Sequence, residues 1–307
     1  MIADNKRLPA AAEVSVVIPT AASRTRSEAI RRCITSIRSS SARPIAIIAV
    51  ANGTGMDAEV LEWLRSQPDV TVLTDTMPSA PNAARRGREI VRTPFFSFID
   101  DDDEYLPGST DLKLDALVRS PTADFVIANG YRNASQGEEL LYDELESLAE
   151  NPLHALFRKN WLASCNALFR SSSIGPEFFR DFHPYAEWTW LAYRLAVARK
   201  NAAVVDEPCC RVNETQNSLS QSAVYHDAYL SLFGRMLELA PDRSTRNLIR
   251  EKMSGAWHEA STRALSNHRY VRAIAAHIQS LFLPGGWRYF TYTRRLVPLW
   301  PNNDIRP

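Results

Sequence analysis

The stretch Phe95-Phe96-Ser97-Phe98-Ile99-Asp100-Asp101-Asp102-Asp103-Glu104 constrains the chain more than any other. Its first half is aromatic and aliphatic, suited to the middle of a sheet, and its second half is five adjacent acids, which cannot be buried unpaired. The acids therefore mark the point where a strand leaves the core. In an open α/β sheet the carboxyl ends of central strands are where ligands bind, and carboxylates this close repel one another unless a cation or a donor-rich ligand screens them. A divalent metal carrying a phosphorylated substrate meets that demand best. The plain alternative is a solvated loop whose acids cap the following segment, since Asp is common in turns.

The sequence before this stretch supplies a sheet for it to join. Val14-Ser15-Val16-Val17-Ile18 reads as a buried strand ended by Pro19-Thr20, because proline cannot continue a central ladder. A helix follows from Glu28 to Ser39, with Ile30, Ile34 and Ile37 on one face. Ile45 to Val50 is a second strand, too uniformly apolar to be half-exposed, and Asn52-Gly53-Thr54-Gly55 turns it. Asp57 is placed to cap a helix carrying Val60, Leu61 and Leu64. Val70 to Leu73, Asn82 to Val91 and Phe95 to Ile99 continue as strand, helix and strand. This alternation requires crossovers that favour a parallel sheet covered on both faces.

After the acids, Leu106-Pro107-Gly108 turns the chain into a short helix marked by Leu112, Ala116 and Leu117. Further strands are expected at Phe125 to Asn129, Asn166 to Phe169 and Ala203 to Asp206, and a helix from Glu187 to Arg199. The acidic stretch from Tyr131 to Glu150 carries no decisive pattern. The division expected is 1–220 for the sheet-forming domain and 221–307 for an all-helical region. That region holds helices from Ala223 to Leu239 and Arg243 to Leu265, joined at Pro241. A third helix has Val271, Ile274, Ala275, Ile278, Leu281 and Phe282 at helical spacing. Past Pro284-Gly285-Gly286, the aromatic residues Trp287, Tyr289, Phe290, Tyr292 and Trp300 interleave with Arg288, Arg294 and Arg295. From Ala260 onward seven arginines stand against Asp304 alone. Such a basic, aromatic tail suits packing back onto the larger domain, as most amphipathic helices do, or a membrane headgroup layer.

At 307 residues, with 45% of them hydrophobic, the chain can bury a substantial core. A net charge of +1 gives no electrostatic reason for a nucleic-acid partner. Cys33, Cys165, Cys209 and Cys210 lack metal-ligand or redox spacing, as expected of reduced thiols in a cytosolic setting. No apolar run approaches the roughly 20 residues that span a bilayer, and the start has no signal-peptide core. The expectation is a cytoplasmic protein, soluble or attached peripherally to the inner membrane face.

Several pieces together resemble the family 2 glycosyltransferases of the GT-A fold, over about the first two thirds of the chain. Val14 to Thr20 is similar to that family's opening strand. Phe98-Ile99-Asp100-Asp101-Asp102-Asp103 followed by Pro107 looks like its metal and nucleotide motif, and Cys210-Arg211-Val212-Asn213 with Ser218-Leu219-Ser220 looks like its closing segment. The resemblance implies an α/β fold with a mostly parallel sheet flanked by helices, to which the helical region is an appendage. It implies an inverting, metal-dependent transfer of a sugar from a nucleotide sugar, most readily a UDP-sugar, to a glycan or lipid-linked acceptor in polysaccharide biosynthesis. Carried over residue by residue, Asp100 and Asp101 face the nucleoside and Asp102 holds Mn²⁺ or Mg²⁺, with Asp103 the alternative ligand because four successive Asp leave the register open by one. Pro19, Thr20 and Ala21 resemble the family's first nucleotide contact. Asn52 stands where the family often has an Asp that reads the base, and an amide, being donor and acceptor at once, leaves the base preference open. Arg85, Arg86 and Arg211 are candidates for the diphosphate. Glu187 is the candidate base, Asp181 its reserve, and Trp188 and Trp190 the candidate acceptor platform.

Two rivals remain at this stage. A nucleotidyltransferase that makes nucleotide sugars also uses acids and Mg²⁺, but Ala21-Ala22-Ser23-Arg24 is a poor version of its glycine-rich phosphate loop. A non-catalytic, nucleotide-sugar-binding scaffold would fit the departures from the family pattern at Asn52, Arg86 and Ala186.

Overall fold

A computed structural model describes residues 11–134, 137–143, 145, 147–213 and 223–296. The lead-in before residue 11, Ser218-Leu219-Ser220, Trp300 and Arg306 lie outside the described residues. The chain divides into two compact units, Met1–Asn217 and Ser218–Pro307.

In the first unit the uniformly apolar runs become the strands of one sheet. They are β1 (Val14–Thr20), β2 (Ile45–Asn52), β3 (Val70–Asp75), β4 (Phe95–Phe98), β5 (Glu104–Tyr105), β6 (Phe125–Ala134), β7 (Gly137–Leu140), β8 (Ala167–Arg170) and β9 (Ala202–Asn213). Around them lie α1 (Ser27–Ser39), α2 (Ala58–Ser66), α3 (Ala80–Ile90), α4 (Ser109–Arg119), α5 (Ser147–Glu150), α6 (Pro152–Arg158), α7 (Glu177–Arg180) and α8 (Glu187–Val197). The strand order is β3-β2-β1-β4-β8-β6-β9-β5, with β7 paired to β6. β3, β2, β1 and β4 are all parallel, linked through the crossover helices α1, α2 and α3. β8 runs antiparallel between β4 and β6, and β9 returns parallel to β6.

The short connections explain much of this. Asp57 caps α2, its Oδ1 accepting from the amides of Glu59 at 2.9 Å and Val60 at 3.2 Å. β9 is longer than the four residues Ala203 to Asp206 imply, because its second half pairs with the two-residue β5 directly after the acids, Glu104 opposite Arg211 and Tyr105 opposite Cys210. The acidic stretch after Tyr131 forms the end of β6, the hairpin strand β7 and α5. Burial is continuous along β1, β2 and β4. The aromatic residues of β4 form a cluster with neighbouring elements, Phe96 stacking on Phe169 at 5.1 Å and Phe98 lying 5.1 Å from Phe179. All four cysteines are buried and free.

The second unit contains α9 (Ala223–Glu238), α10 (Arg243–Ser266), α11 (Tyr270–Leu281), a 3₁₀ turn over Gly286–Tyr292, and α12 (Thr293–Leu296). One expectation fails here. The large apolar residues of α11 do not cover a core: Ala273, Ala276, His277 and Ser280 are its buried residues, while Val271, Ile274 and Ile278 are exposed. No helix among the described residues is long and apolar enough to cross a membrane.

Gly87, in α3, sits where that helix crosses the sheet. A Cβ there would overlap Val17 Cγ1 and stand 3.2 Å from Val50 Cγ2, both on central strands. At an exposed helix position Gly→Ala stabilises by up to about 1 kcal/mol, so the sign of the change discriminates. Gly87→Ala should instead destabilise the protein by roughly 1–3 kcal/mol through overpacking. Urea unfolding measures it, and an unchanged or raised midpoint would contradict the close packing described.

Candidate active site

The carboxyl ends of β1, β2 and β4 meet at the acid turn, where they are tied together by side chains. Thr20, the last residue of β1, donates its hydroxyl to Asp101 Oδ2 at 2.5 Å and accepts the Ala22 amide at 2.9 Å. The Thr20 carbonyl accepts from Asn52 Nδ2 at 2.9 Å, and Asn52 Oδ1 accepts the Ser79 amide that opens α3, at 3.0 Å. Ala22 itself adopts φ +47°, a left-handed backbone that costs a non-glycine residue energy and that clusters at functional sites. Asn52 is therefore a brace between two strand ends and the start of α3, and Ala21 is left exposed.

The acids turn rather than continue the strand, since the Asp103 amide donates to the Asp100 carbonyl at 3.1 Å. The turn sorts them into two pairs. Asp101 and Asp103 are buried and held by the fold. Asp101 takes the Thr20 hydroxyl and an ion pair with Arg26. Asp103 accepts the Asn213 amide at 3.0 Å and the Ser164 hydroxyl at 3.4 Å. Asn213 Nδ2 also donates to the Asp102 carbonyl at 2.8 Å, so the end of β9 is stitched along the turn. Asp100 and Asp102 remain half-buried, with Arg26 Nη1 3.1 Å from Asp102.

Burial raises the pKa of Asp100 to about 7, with the Asp102 charge and then the Glu187 charge adding to it while Ser164 opposes. Asp101 and Asp103 are also pushed up by burial, and for Asp101 the Thr20 and Arg26 contacts hold the rise in check. Burial and mutual repulsion thus favour the protonated forms of Asp100, Asp101 and Asp103. Among the described residues no three His, Cys, Asp or Glu side chains converge as a metal cage. The donor set does suit a hard divalent cation bound by one or two carboxylates and completed by oxygens of a ligand.

Glu187 opens α8 close enough for its charge to act on Asp100, and burial raises its own pKa above the ordinary glutamate value. The aromatic strand sets this spacing: Trp188 meets Phe98, two residues before Asp100, edge to face at 5.3 Å. Glu187, Trp188 and Asp181 line an apolar pocket with Phe178, Phe179 and Phe182. Tyr185, just upstream, has φ +65°. Trp190 belongs to the framework: it is 2% exposed, stacks on Tyr193 and donates Nε1 to the Asp181 carbonyl at 2.8 Å.

Each of the three candidate arginines has an acidic partner. Arg85 pairs with Glu89 and bonds Asn82, Arg86 pairs with Asp75 at 2.6 Å, and Arg211 pairs with Glu138 on β7. The cation at the acids is Arg26, from the loop ahead of α1. Its only sequence signal is its closeness to Pro19-Thr20. Ser164 carries no motif at all.

The sequence matches the glycosyl transferase family 2 domain over residues 15–173, just over half of the chain. The protein belongs to glycosyl transferase family 2. The match runs from β1 through the acid turn to the end of β8, so it contains the Thr20, Arg26, Asn52 and Ser164 contacts but not Asn213. Solved structures with the same fold include S. aureus TarS 1-349 in complex with UDP-GlcNAc. That structure is 12% identical, with TM-score 0.62, over 93% of this chain and 84% of that one. TarS 1-349 in complex with UDP aligns with TM-score 0.58 and 11% identity, over 93% and 83% of the two chains. At such identity the likeness is one of fold. A search of curated proteins finds no significant match. As a glycosyltransferase, the protein is not the nucleotidyltransferase that the acids alone left open.

Thr20→Val removes the hydroxyl that holds buried Asp101 while keeping the shape of the side chain. It should cost about 1–3 kcal/mol, the penalty for a buried polar group losing its partner. Thermal or urea unfolding checks this, and a cost below a few tenths would mean that the brace is idle.

Proposed function

We propose that this glycosyltransferase transfers a sugar, with inversion, from a nucleotide diphosphate donor to a hydroxyl of a glycan or lipid-linked acceptor, and that UDP-sugars are its donors. The observation that carries the reading is the half-buried pair Asp100 and Asp102 at the end of β4, with Glu187 beside them. The fold shared with UDP- and UDP-GlcNAc-bound TarS supports the donor class.

Asp102 would hold Mn²⁺ or Mg²⁺ with Asp100 adjacent, and such a cation supplies Lewis-acid neutralisation of the departing diphosphate. Asp103 is turned toward β9 and leaves that role to Asp102. The Pro19–Ala21 segment, Asn52 and Asp100 form the nucleoside wall, with Thr20 and Asp101 fixing its backbone. Glu187 accepts the acceptor hydroxyl's proton as the oxygen attacks the anomeric carbon, and the bond from that carbon to the diphosphate oxygen breaks with its electron pair leaving on phosphate. A carboxylate with a raised pKa is the better base for this step once deprotonated, because it binds the proton more firmly. Trp188 offers an aromatic edge to the acceptor, and Asp181, more exposed than Glu187, remains the reserve base.

Glu187→Gln should retain donor binding and lower transfer by about 10²–10⁴-fold, the usual contribution of a positioned base. Asp102→Asn should weaken donor binding as well as turnover. Nucleotide release from a panel of nucleotide sugars with Mn²⁺, alongside donor titration, separates the two. Donor binding with no turnover across broad acceptor panels would instead favour the scaffold reading, and full activity in both variants would refute the assignment.

The pH profile gives a second check. The base works only when deprotonated, so the transfer rate should fall as pH drops through the Glu187 pKa. That limb should lie above 4.5, the ordinary value, because burial raises it. A flat profile down to 4.5, or a limb that survives unchanged in Glu187→Gln, would assign the base elsewhere.

A further inference from the structure

α11 packs with the wrong side inward for a helix that simply covers a core. Two α10 hydroxyls fix which side that is: Ser254 donates to the Ser280 carbonyl at 2.8 Å and Ser261 to the Ala273 carbonyl at 2.7 Å. The small residues Ala273, Ala276 and Ser280 therefore face α10. At 100° per residue, Val271, Ile274, Ile278 and Phe282 fall together on the opposite side. Val271 is 85% and Phe282 87% exposed. Past the Pro284-Gly285 break, Trp287 is 77% and Phe290 69% exposed. Scattered exposed apolar residues are ordinary, but a stripe running the length of a helix and continued by two aromatics marks an interaction surface.

The charges around the stripe decide what it meets. Between Ala260 and Leu296 there are six arginines, Arg263, Arg269, Arg272, Arg288, Arg294 and Arg295, and no acid. Arg269, Arg272, Arg294 and Arg295 are exposed. Two copies of this face would bring like charges together, whereas an anionic lipid surface complements both the arginines and the apolar stripe. Exposed Trp and Phe suit the layer between headgroups and acyl chains.

We propose that α11 and the following 3₁₀ turn form a membrane-surface element, lying in the headgroup layer of an anionic bilayer with Val271, Ile274, Ile278 and Phe282 toward the acyl chains. The element stands on the second unit alone, and its test needs no donor, so it fails or succeeds apart from the reading of the acid turn.

The experiment is sedimentation of the full chain with vesicles of phosphatidylcholine and of phosphatidylcholine mixed with phosphatidylglycerol. The wild type should pellet with the anionic vesicles only, and raised salt should weaken that binding. The double variant Ile278→Glu, Phe282→Glu should lose pelleting with its melting temperature unchanged, because both side chains are exposed. Arg272→Glu should weaken pelleting without abolishing it. Wild type left in the supernatant with anionic vesicles, or a double variant that pellets as before, overturns the proposal. So does a concentration-dependent dimer that the double variant dissolves while neither form binds vesicles.

Discussion

Four aspartates in a row at the end of a buried strand repel one another, and the surroundings of the acid turn are arranged against that repulsion. A carboxylate can enter a protein interior only if hydrogen bonds or an opposite charge replace the water it leaves. Asp101 meets this with Thr20 and Arg26, and Asp103 with Ser164 and the amide of Asn213. Those contacts join β1, the loop before α1 and the end of β9 to one turn. The two remaining acids, Asp100 and Asp102, lie half-buried on the same turn, Asp102 beside Arg26. The same local demand organises the sheet's carboxyl edge.

The aromatic half of the stretch does the complementary work. Phe96 and Phe98 belong to a ring cluster that includes Phe169 and Phe179, and Phe98 also receives Trp188. Because Trp188 follows Glu187 and Phe98 precedes Asp100 by two residues, packing in the core fixes how far the candidate base stands from the acids. Aromatic contacts of this kind add directional preference to the area they bury. Function here is placed by hydrophobic geometry one layer below it.

Much of the fold was legible because burial on both faces of a parallel strand leaves an unmistakable apolar run: Val14 to Ile18, Ile45 to Val50 and Phe95 to Phe98 all became strands. The acid turn was legible for the opposite reason, since five acids have no place inside. What the sequence hid were long-range pairings. Asn52 looked like a base reader or a turn residue, with no sign in the sequence that it also braces, its amide reaching both Thr20 and Ser79. Arg86 looked like a phosphate clamp, yet Asp75 at the end of β3 lies within reach of it. Arg26 carried no pattern, since an ion pair across 75 residues depends on where two loops meet and on nothing local. The periodicity of α11 told that it is an amphipathic helix but not which side turns inward. The serines of α10 decide that.

Membership of glycosyl transferase family 2 rests on the first unit, while the fold shared with TarS at 12% identity shows how little sequence is needed to keep this arrangement. The central claim is that Asp100 and Asp102 hold a cation and, through it, a nucleotide. Calorimetric titration of UDP into the protein, with Mn²⁺ and again after chelation, tests this most directly. The account predicts binding with the metal and a large loss of affinity without it. Equal affinity in both conditions, or no binding at millimolar UDP with Mn²⁺ present, would contradict it.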